Sequence, residues 1–500
     1  MTPKSSILYE NPSATAFVVD IPSSITLAQA LPGQTSPPPP HSAPYASSNH
    51  GRRILLSSAP LRAPYPPSTE PKSEAARARV LERIPLSERH FHSEIIELLV
   101  AEKLTELHQA LVTGFDWCLP RTPIESDSQN SSVNAAQAEQ IQPGKRKRSA
   151  SQRKDGTCPV WITDHGSGSD WNKPISAPSA MGNPPLILSP GVNAFECMSE
   201  ISNTVVKNTS AEPATVQIRC QSETDNLGSN DKQRSEQERP YHYHSFYVPP
   251  LSHFLRCRIP ISENITQLDP IPGLPSGQKF NLIFLDPPWT NRSVRRSGHY
   301  QTLSYLDWEL LTRRICDILQ VHLQEDPTSS ADASDRGGTG KNLQTDVQSS
   351  MAAIWITNSP KARKAAYDAM QGAGLVVCEE WVWLKTTTDG TPITALGGLW
   401  RKPYEILVIG KRAHPYAPPT SGDGESITRR VIAAVPDVHS RKPNLKELFE
   451  RMFFSSLAGD RVPYSALEVF ARNLTAGWWA CGDDVLRFNS EEWWVDDDDM

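Results

Sequence analysis

The sequence lacks the features of a membrane protein, a secreted protein or a disulfide-rich protein. Its 500 residues include 8 cysteines, and no two of them form a CxxC pair. This spacing argues against a zinc site and a disulfide scaffold, and it favours a reducing compartment. No apolar run approaches the length of a transmembrane helix, and no apolar core of a secretory signal follows the N-terminus. We therefore expect a soluble intracellular protein that uses no metal and binds no membrane.

The chain also lacks an excess of positive charge and has few hydrophobic residues. Its net charge is −6, so any surface that attracts nucleic acid must be local. Hydrophobic residues make up only 38% of the chain, and proline occurs 44 times. This composition predicts that a large part of the chain does not fold into a packed core.

The composition divides the chain into segments. Residues 1–72 are rich in proline and serine, and we interpret them as disordered. Residues 73–118 carry leucine and isoleucine at helical spacing, which predicts an accessory helical segment. Residues 119–240 are polar and are predicted to be mostly disordered. Within them, the basic tract at 145–148 suggests a nuclear localisation signal or a nucleic-acid contact, with a solvated charge cluster as the alternative.

The globular part of the chain is predicted at residues 241–490. A polar stretch, 324–350, is long for a connection and is interpreted as a disordered insertion. The last residues, 491–500, have the composition of a solvated acidic tail. Between these segments, apolar strand patterns alternate with helical patterns, which predicts an α/β fold with a mostly parallel sheet and helices on both faces. The predicted strands are 280–285, 352–357, 375–385, 404–410 and 466–470, and the predicted helices are 305–323, 361–371 and 444–454.

The segment Asp286-Pro287-Pro288-Trp289 follows the predicted strand 280–285. This pattern is typical of enzymes that methylate exocyclic amino groups of nucleobases. The amino nitrogen of adenine is a poor nucleophile because its lone pair is delocalised into the ring. The Asp286 carboxylate and the Pro287 carbonyl would accept hydrogen bonds from that amine, while Pro288 stiffens the backbone. Trp289 offers a ring on which a base stacks.

The residues that follow this motif are basic. We predict that Arg292, Arg295, Arg296 and Tyr300 contact a phosphate backbone near the target base; an ordinary surface loop is the alternative. Two further aromatic residues, Trp381 and Trp383, alternate on a predicted strand. Packing in the core is the favoured interpretation for that pair.

Five short motifs in a fixed order resemble the S-adenosyl-L-methionine (SAM) binding subunit of mRNA N6-adenosine methyltransferase and its relatives. They are DPPW (286–289), WxWxK (381–385), KPYE (402–405), SxKP (440–443) and ExFARN (468–473). Within this family, the residues that follow DPPW and the FARNLT segment (470–475) are most similar to the methyltransferase-like protein four branch. The resemblance covers residues 241–490 and implies a Rossmann-like methyltransferase fold.

The resemblance also implies roles for individual residues. Asp286, Pro287, Pro288 and Trp289 would be catalytic, and Asp286 would also contact the amine of the cofactor SAM. Lys442 would hold the methionine carboxylate. The ribose and purine side would be lined by Glu468, Arg472, Asn473, Asp483 and Asp484. Lys402 would lie near the entrance of the active site, where nucleic acid binds.

These features predict an N6-adenine methyltransferase that acts on nucleic acid in the nucleus. A catalytically inactive, nucleic-acid-binding partner subunit is the first alternative. Methylation of a cytosine amine or a protein amide is the second, and a structural interaction protein is the third. The family branch favours small nuclear RNA as the substrate, with DNA adenine as the competitor. Neither the oligomeric state nor the need for an accessory subunit follows from the sequence.

Overall fold

A computed structural model of the chain describes thirteen ranges of residues. They are 4–32, 53–66, 70–71, 73–112, 114–124, 184–221, 241–261, 269–289, 308–325, 350–399, 401–412, 427–456 and 461–496. The predicted basic tract at 145–148 and most of the predicted insertion at 324–350 lie outside these ranges. Within them, no helix combines the length and the apolar character that crossing a bilayer requires.

The first part of the described chain contains eight strands and four α-helices. They are β1 (Ile7–Glu10), β2 (Ala16–Val19), α1 (Ile21–Ala28), β3 (Arg53–Ser57), α2 (Glu74–Glu82), α3 (Leu86–His90), α4 (Glu97–Ala110), β4 (Thr122–Pro123), β5 (Leu186–Ile187), β6 (Gly191–Phe195), β7 (Val205–Lys207) and β8 (Ala214–Gln221). A π-helical stretch, Phe91–Ile96, joins α3 to α4.

The second part contains the strands and helices that carry the predicted motifs. They are β9 (Tyr241–Val248), β10 (His253–Arg256), β11 (Leu282–Leu285), α5 (Trp308–His322), β12 (Met351–Ile356), α6 (Pro360–Gly372), β13 (Leu375–Lys385), β14 (Tyr404–Arg412), β15 (Thr428–Ala434), α7 (Lys446–Phe453), β16 (Ala466–Val469), β17 (Trp479–Gly482) and β18 (Trp494–Asp496).

A large twisted sheet dominates the described structure. Its strand order is β1-β2-β15-β13-β14-β12-β11-β16-β17-β10-β7-β5. Neighbours from β12 through β11, β16 and β17 to β10 are parallel, whereas β14 is antiparallel to both β12 and β13. The antiparallel strand arises because no helix separates β13 from β14, so the chain returns directly beside β13. The mostly parallel sheet and its helices confirm the predicted α/β class.

Strand β11 lies in the middle of this sheet and is buried on both faces. All four of its residues are buried, as are all six of β12, which matches the continuous apolar runs seen in the sequence. Its parallel neighbours β12 and β16 place their carboxyl ends at the same edge as the end of β11. Ligands of open α/β sheets bind at that edge.

The disordered interpretation of residues 1–72 is wrong for residues 4–32. Strand β2 pairs in parallel with β15, with Phe17 opposite Ile432, and β1 extends the sheet further. Phe17 and Ile25 are almost completely buried in the core. Apolar residues are concentrated in this short segment, and their burial offsets the loss of chain entropy on folding.

Strands also form in the segment 119–240, which was predicted to be mostly disordered, and in the predicted solvated tail 491–500. Within 119–240, β6 and β8 form a second sheet with β9, and β5 and β7 extend the large sheet. In the predicted acidic tail, β18 pairs with β3, and Trp494 is buried and donates its indole N–H to the Phe488 carbonyl oxygen. These segments fold because partners distant in the sequence cover their apolar residues, which composition alone does not reveal.

Candidate active site

The candidate site begins at the carboxyl end of β11, where the backbone turns into the DPPW segment. The Asp286 N–H donates to the carbonyl oxygen of Val469, the last residue of the neighbouring strand β16. Because the two strands end side by side, Asp286 and the residues after β16 lie in the same cleft. The cleft has an empty volume of about 500 Å³, and its walls include Asp286, Lys442, Glu468, Arg472 and Asn473.

The Asp286 carboxylate is held between two cations. Its Oδ1 lies 3.3 Å from the Lys442 ammonium nitrogen, and its Oδ2 lies 2.9 Å from Nη1 of Arg472. The three side chains are 14%, 19% and 17% exposed, so the network is only partly shielded from solvent. Lys442 and Arg472, which are distant in the sequence, converge on one carboxylate as the predicted site requires.

A second carboxylate extends the network beyond the residues that the sequence predicted. Glu405 accepts from Lys442 at 2.8 Å and from Lys385 at 2.6 Å. Burial disfavours its charge, yet the two lysines hold the pKa of Glu405 far below its ordinary value. The pKa of Lys442 is raised because Asp286 and Glu405 outweigh the effect of burial. Lys442 is therefore a permanent cation in the cleft wall at physiological pH.

Glu468 differs from the other carboxyl groups of the cleft. Burial and the nearby charge of Asp286 raise its pKa to about 8, and Arg472 opposes the shift only partly. Its carboxyl group therefore carries a proton at neutral pH and donates as well as accepts hydrogen bonds. Such a group suits a ligand hydroxyl better than a ligand cation.

Three residues beside the cleft have positive φ angles, a backbone conformation that residues other than glycine rarely adopt. Phe470 and Ser440 both line the cleft and have φ values of 61° and 73°. Gly482 has φ 148°, and a Cβ at that position would come within 3.2 Å of the Cα of Phe470. The close approach of β17 to the turn after β16 thus requires glycine. Strained backbone of this kind clusters at ligand sites.

The residues fit the charges of a zwitterionic amino-acid group. Lys442 or Arg472 would hold a ligand carboxylate, and Asp286 would pair with a ligand ammonium group. The amide nitrogen Nδ2 of Asn473 is buried and has no hydrogen-bond partner. A buried amide without a partner is costly, so a ligand oxygen at this position would satisfy it. These features agree with the methionine and ribose groups of SAM.

Two hydrogen bonds hold the rest of the DPPW segment, one within the segment and one to strand β12. The Pro287 carbonyl oxygen accepts the Trp289 backbone N–H at 2.8 Å, and the Trp289 indole N–H donates to the Trp355 carbonyl oxygen at 2.6 Å. The Trp289 ring packs in parallel on Trp308, with centroids 5.6 Å apart and planes 14° apart. Trp308 thus covers one face of Trp289. The sequence analysis predicted that Trp308 lies in a helix but did not predict this contact.

The predicted nucleic-acid contacts divide into two groups. Arg292, Arg295, Arg296 and Tyr300 lie outside the described residues. Lys402 is described, and it forms an ion pair with Glu97 of helix α4. Glu70 accepts the backbone N–H of Leu399 in the same loop, at 2.9 Å. Two carboxylates of the N-terminal half therefore bind the loop that contains Leu399 and Lys402.

The two predicted acidic residues after β17 line a different cavity. Asp483 and Asp484 lie with Arg256, His244 and Arg487 around a space of about 580 Å³ between the carboxyl end of β17 and the second sheet. Burial and the neighbouring Asp484 raise the pKa of Asp483. Both cavities lie at the same edge of the large sheet, because β17 directly neighbours β16.

Trp381 and Trp383 belong to the core, as the favoured interpretation had it. They are 1% and 3% exposed, and the Trp381 ring stacks on Phe449. The residues that the sequence analysis missed are Lys385 and Glu405, together with Asn444, which lines the cleft. Lys385 and Glu405 belong to the motifs WxWxK and KPYE, which carried the resemblance, and Asn444 directly follows SxKP. Only their position beside Lys442 shows that they belong to the site.

The fold is an α/β fold with a mostly parallel central sheet, and the cleft lies at the carboxyl ends of its strands. Residues 341–484 match the family model MT-A70. This match agrees with the resemblance that the motifs indicated.

Curated relatives are similar to the chain over about half its length. "N6-methyladenosine RNA methyltransferase MTA1" of Cryphonectria parasitica is 38% identical over 226 residues, which are 43% of this chain and 55% of the relative. "N(6)-adenine-specific methyltransferase METTL4" of Mus musculus is 28% identical over 262 residues, which are 50% of this chain and 45% of the relative. "DNA N6-methyl methyltransferase" of Caenorhabditis elegans is 27% identical over 248 residues, which are 49% of this chain and 54% of the relative. The chain spans about half the length of these relatives.

Proposed function

We propose that this protein is a SAM-dependent N6-adenine methyltransferase that acts on nucleic acid. The observation that carries the proposal is the placement of Asp286 at the end of β11, between Lys442 and Arg472. The MT-A70 match and the relatives named as N6-adenine methyltransferases of RNA and DNA support it. An inactive partner subunit has no need for an intact DPPW segment together with both cations.

The cleft residues would bind the cofactor and activate the amine. SAM supplies a methyl group on a positively charged sulfur. Lys442 would hold its carboxylate, and Asp286 its ammonium group. An ionised carboxylate has about four acceptor positions, so Asp286 has capacity for the adenine amine as well. Among the described residues, the Pro287 carbonyl oxygen accepts one hydrogen bond, from the Trp289 N–H, and its second lone pair would accept from the same amine.

Trp289 would orient the target base. Its ring is fixed on one face by Trp308 and at its edge by the hydrogen bond to Trp355, so the base would stack on the remaining face. A base that reaches this cleft must be unpaired or flipped out of a duplex. Holding the amine against Asp286 and Pro287 in one geometry would supply most of the rate enhancement through positioning.

We infer that RNA is the preferred substrate, and that small nuclear RNA is the first class to test. The likeness to the methyltransferase-like protein four branch and the relative named as an RNA methyltransferase support RNA, whereas the Caenorhabditis elegans relative supports DNA. A nuclear location follows from the same proposal, and the basic tract at 145–148 supports it.

The proposal is tested with labelled SAM and separate pools of single-stranded RNA, small nuclear RNA and DNA. We expect the purified protein to transfer label to the adenine amine of one pool, and Asp286→Asn to lose at least about 100-fold in rate. Asp368→Asn is the matched control, because Asp368 pairs with Lys364 on the exposed face of α6. SAM binding without transfer to any pool would identify an inactive partner subunit instead.

A further inference from the structure

Helix α1 of the N-terminal segment reaches the two loops that form the candidate cofactor cleft. The Ser24 hydroxyl oxygen accepts the Asn444 backbone N–H at 2.9 Å, two residues after Lys442. The Ala28 carbonyl oxygen accepts the Ala476 N–H at 2.8 Å, in the loop that carries Arg472. A helix more than 400 residues earlier in the sequence therefore contacts both cleft loops directly.

The strongest of these contacts is a closed ring of hydrogen bonds made by Gln29, Asn489 and Leu474. The Gln29 amide nitrogen donates to the Leu474 carbonyl oxygen at 2.8 Å. The Asn489 amide nitrogen donates to Gln29 Oε1 at 2.8 Å, and the Leu474 N–H donates to Asn489 Oδ1 at 2.6 Å. Gln29 is 3% exposed, and Asn489 and Leu474 are fully buried.

The ring satisfies both backbone polar groups of Leu474, the residue after Asn473. A buried peptide group without partners costs free energy, so the ring favours one backbone position for this loop. Asn473 lines the cleft and has a buried amide nitrogen without a hydrogen-bond partner, and Arg472 is one residue further back. The positions of these two side chains therefore depend on a glutamine that contacts neither of them.

We propose that Gln29 is a positioning residue for the cofactor site, acting through Leu474 on Asn473 and Arg472. The inference rests on the proposed function in taking the ligand to be SAM. Gln29 would touch neither cofactor nor substrate. Its amide would hold the loop after β16 in the conformation that binds the ligand, and the N-terminal segment would thereby become part of the binding site.

The test compares Gln29→Glu with Thr26→Val in the full-length protein. Glutamate keeps the size of the side chain and the acceptor for Asn489 but turns an oxygen towards the Leu474 carbonyl. Thr26 lies on the same helix, and its hydroxyl donates only to Pro22 within that helix. We expect Gln29→Glu to weaken SAM binding by about tenfold in calorimetry well below the unfolding temperature. Thr26→Val should stay within about twofold of wild type.

A double-mutant cycle separates the ring from general packing. Gln29→Met and Asn489→Leu each break the same ring, so their effects on the dissociation constant of SAM should be strongly non-additive. Backbone hydrogen exchange in residues 470–476 provides a readout that does not depend on SAM. We expect faster exchange at Leu474 in Gln29→Glu and exchange like that of the wild type in Thr26→Val.

The outcomes distinguish the two proposals. If the wild type binds no SAM, the cofactor assignment fails, and the exchange at Leu474 alone decides whether Gln29 positions the loop. If Gln29→Glu lowers the unfolding temperature but leaves both SAM binding and the exchange of 470–476 at wild-type values, Gln29 is a packing residue only. That result would overturn the inference.

Discussion

Glu468 lies beside Asp286 in the cleft wall, and its proton stays bound at neutral pH. The pKa of Glu468 is raised to about 8 from an ordinary value of 4.5. Burial is the largest cause of the shift, and the negative charge of Asp286 adds to it. In the unfolded chain the same carboxyl group ionises near its ordinary value. Between these two pH values, the folded state binds more protons than the unfolded state. The free energy of unfolding therefore falls as the pH rises through this window.

The first prediction concerns Glu468→Gln, which removes the titration but keeps the shape. Wild-type stability should fall relative to this variant by about 2–4 kcal/mol between pH 4.5 and 8, because each unit of pKa shift corresponds to about 1.4 kcal/mol. Urea unfolding of both proteins at several pH values in this range measures the difference. Parallel pH profiles for the two proteins would show that Glu468 ionises normally in the folded state.

At the scale of elements, the loop that carries Lys442 is anchored by a buried charge cluster. The Arg441 guanidinium donates to Asp437 at 2.8 Å, and Arg121 lies 4.0 Å from the same carboxylate. The backbone N–H of Ser58 also donates to Asp437. Burial opposes ionisation, but the two arginines hold the pKa of Asp437 below its ordinary value. Residues from both ends of the sequence thus fix the start of this loop.

The second prediction is that Asp437→Asn destabilises the protein by about 3–5 kcal/mol, because it leaves two buried guanidinium groups without their counter-charge. Denaturant unfolding at neutral pH measures the loss. Asp368→Asn, which removes an exposed ion pair, should cost less than about 1 kcal/mol. If the two variants lose equal stability, the cluster contributes no more than a surface pair.

The third prediction concerns the ion pair between Glu97 of helix α4 and Lys402. Glu97→Gln removes the carboxylate that pairs with Lys402, so the lysine becomes available to a phosphate and nucleic acid should bind about two- to fivefold more tightly at low salt. Fluorescence anisotropy with single-stranded RNA measures the change at two salt concentrations. Glu102→Gln is the control, since Glu102 is 70% exposed and pairs only with Lys103. Equal affinity of Glu97→Gln and wild type would remove Lys402 from the predicted contacts.

At the scale of the whole molecule, the two ends of the sequence complete one folded unit. Residues 4–32 add β1 and β2 to the large sheet beside β15, and β18 near the C-terminus pairs with β3. Phe17 and Ile25 share a core with Trp381 and Phe449, which pack under the cleft. The N-terminal segment is therefore part of the structure that supports the site.

The fourth prediction is that Phe17→Ala lowers the free energy of unfolding by about 3–5 kcal/mol, the usual cost of a cavity left by a buried phenylalanine. Val112→Ala is the control, because Val112 is 77% exposed and should cost less than about 0.5 kcal/mol. Both are measured by denaturant unfolding of the full chain. A Phe17→Ala variant as stable as the wild type would restore the interpretation of this segment as disordered.

The sequence predicted the strands of residues 241–490 that carry the motifs well because their signals are local. Strands β11, β12 and β13 are continuous apolar runs with clear ends, and the predicted and observed boundaries differ by at most two residues. The sequence analysis missed strand β15 because Arg429 and Arg430 interrupt its apolar pattern. Those arginines pair with Glu380 and Glu379 of the adjacent strand β13, and only the sheet brings them together.

The sequence by itself determined the α/β class, the resemblance to the methyltransferase family, and the residue types of the cleft, because a short motif after a buried strand is recognisable from local sequence alone. Only the tertiary structure decided that Asp286 lies between Lys442 and Arg472, that Glu405 and Lys385 extend this network, and that the N-terminal segment folds. Those contacts join residues that lie far apart in the chain. Burial, hydrogen bonding and charge pairing between them depend on the packed fold and leave no periodic pattern in the sequence.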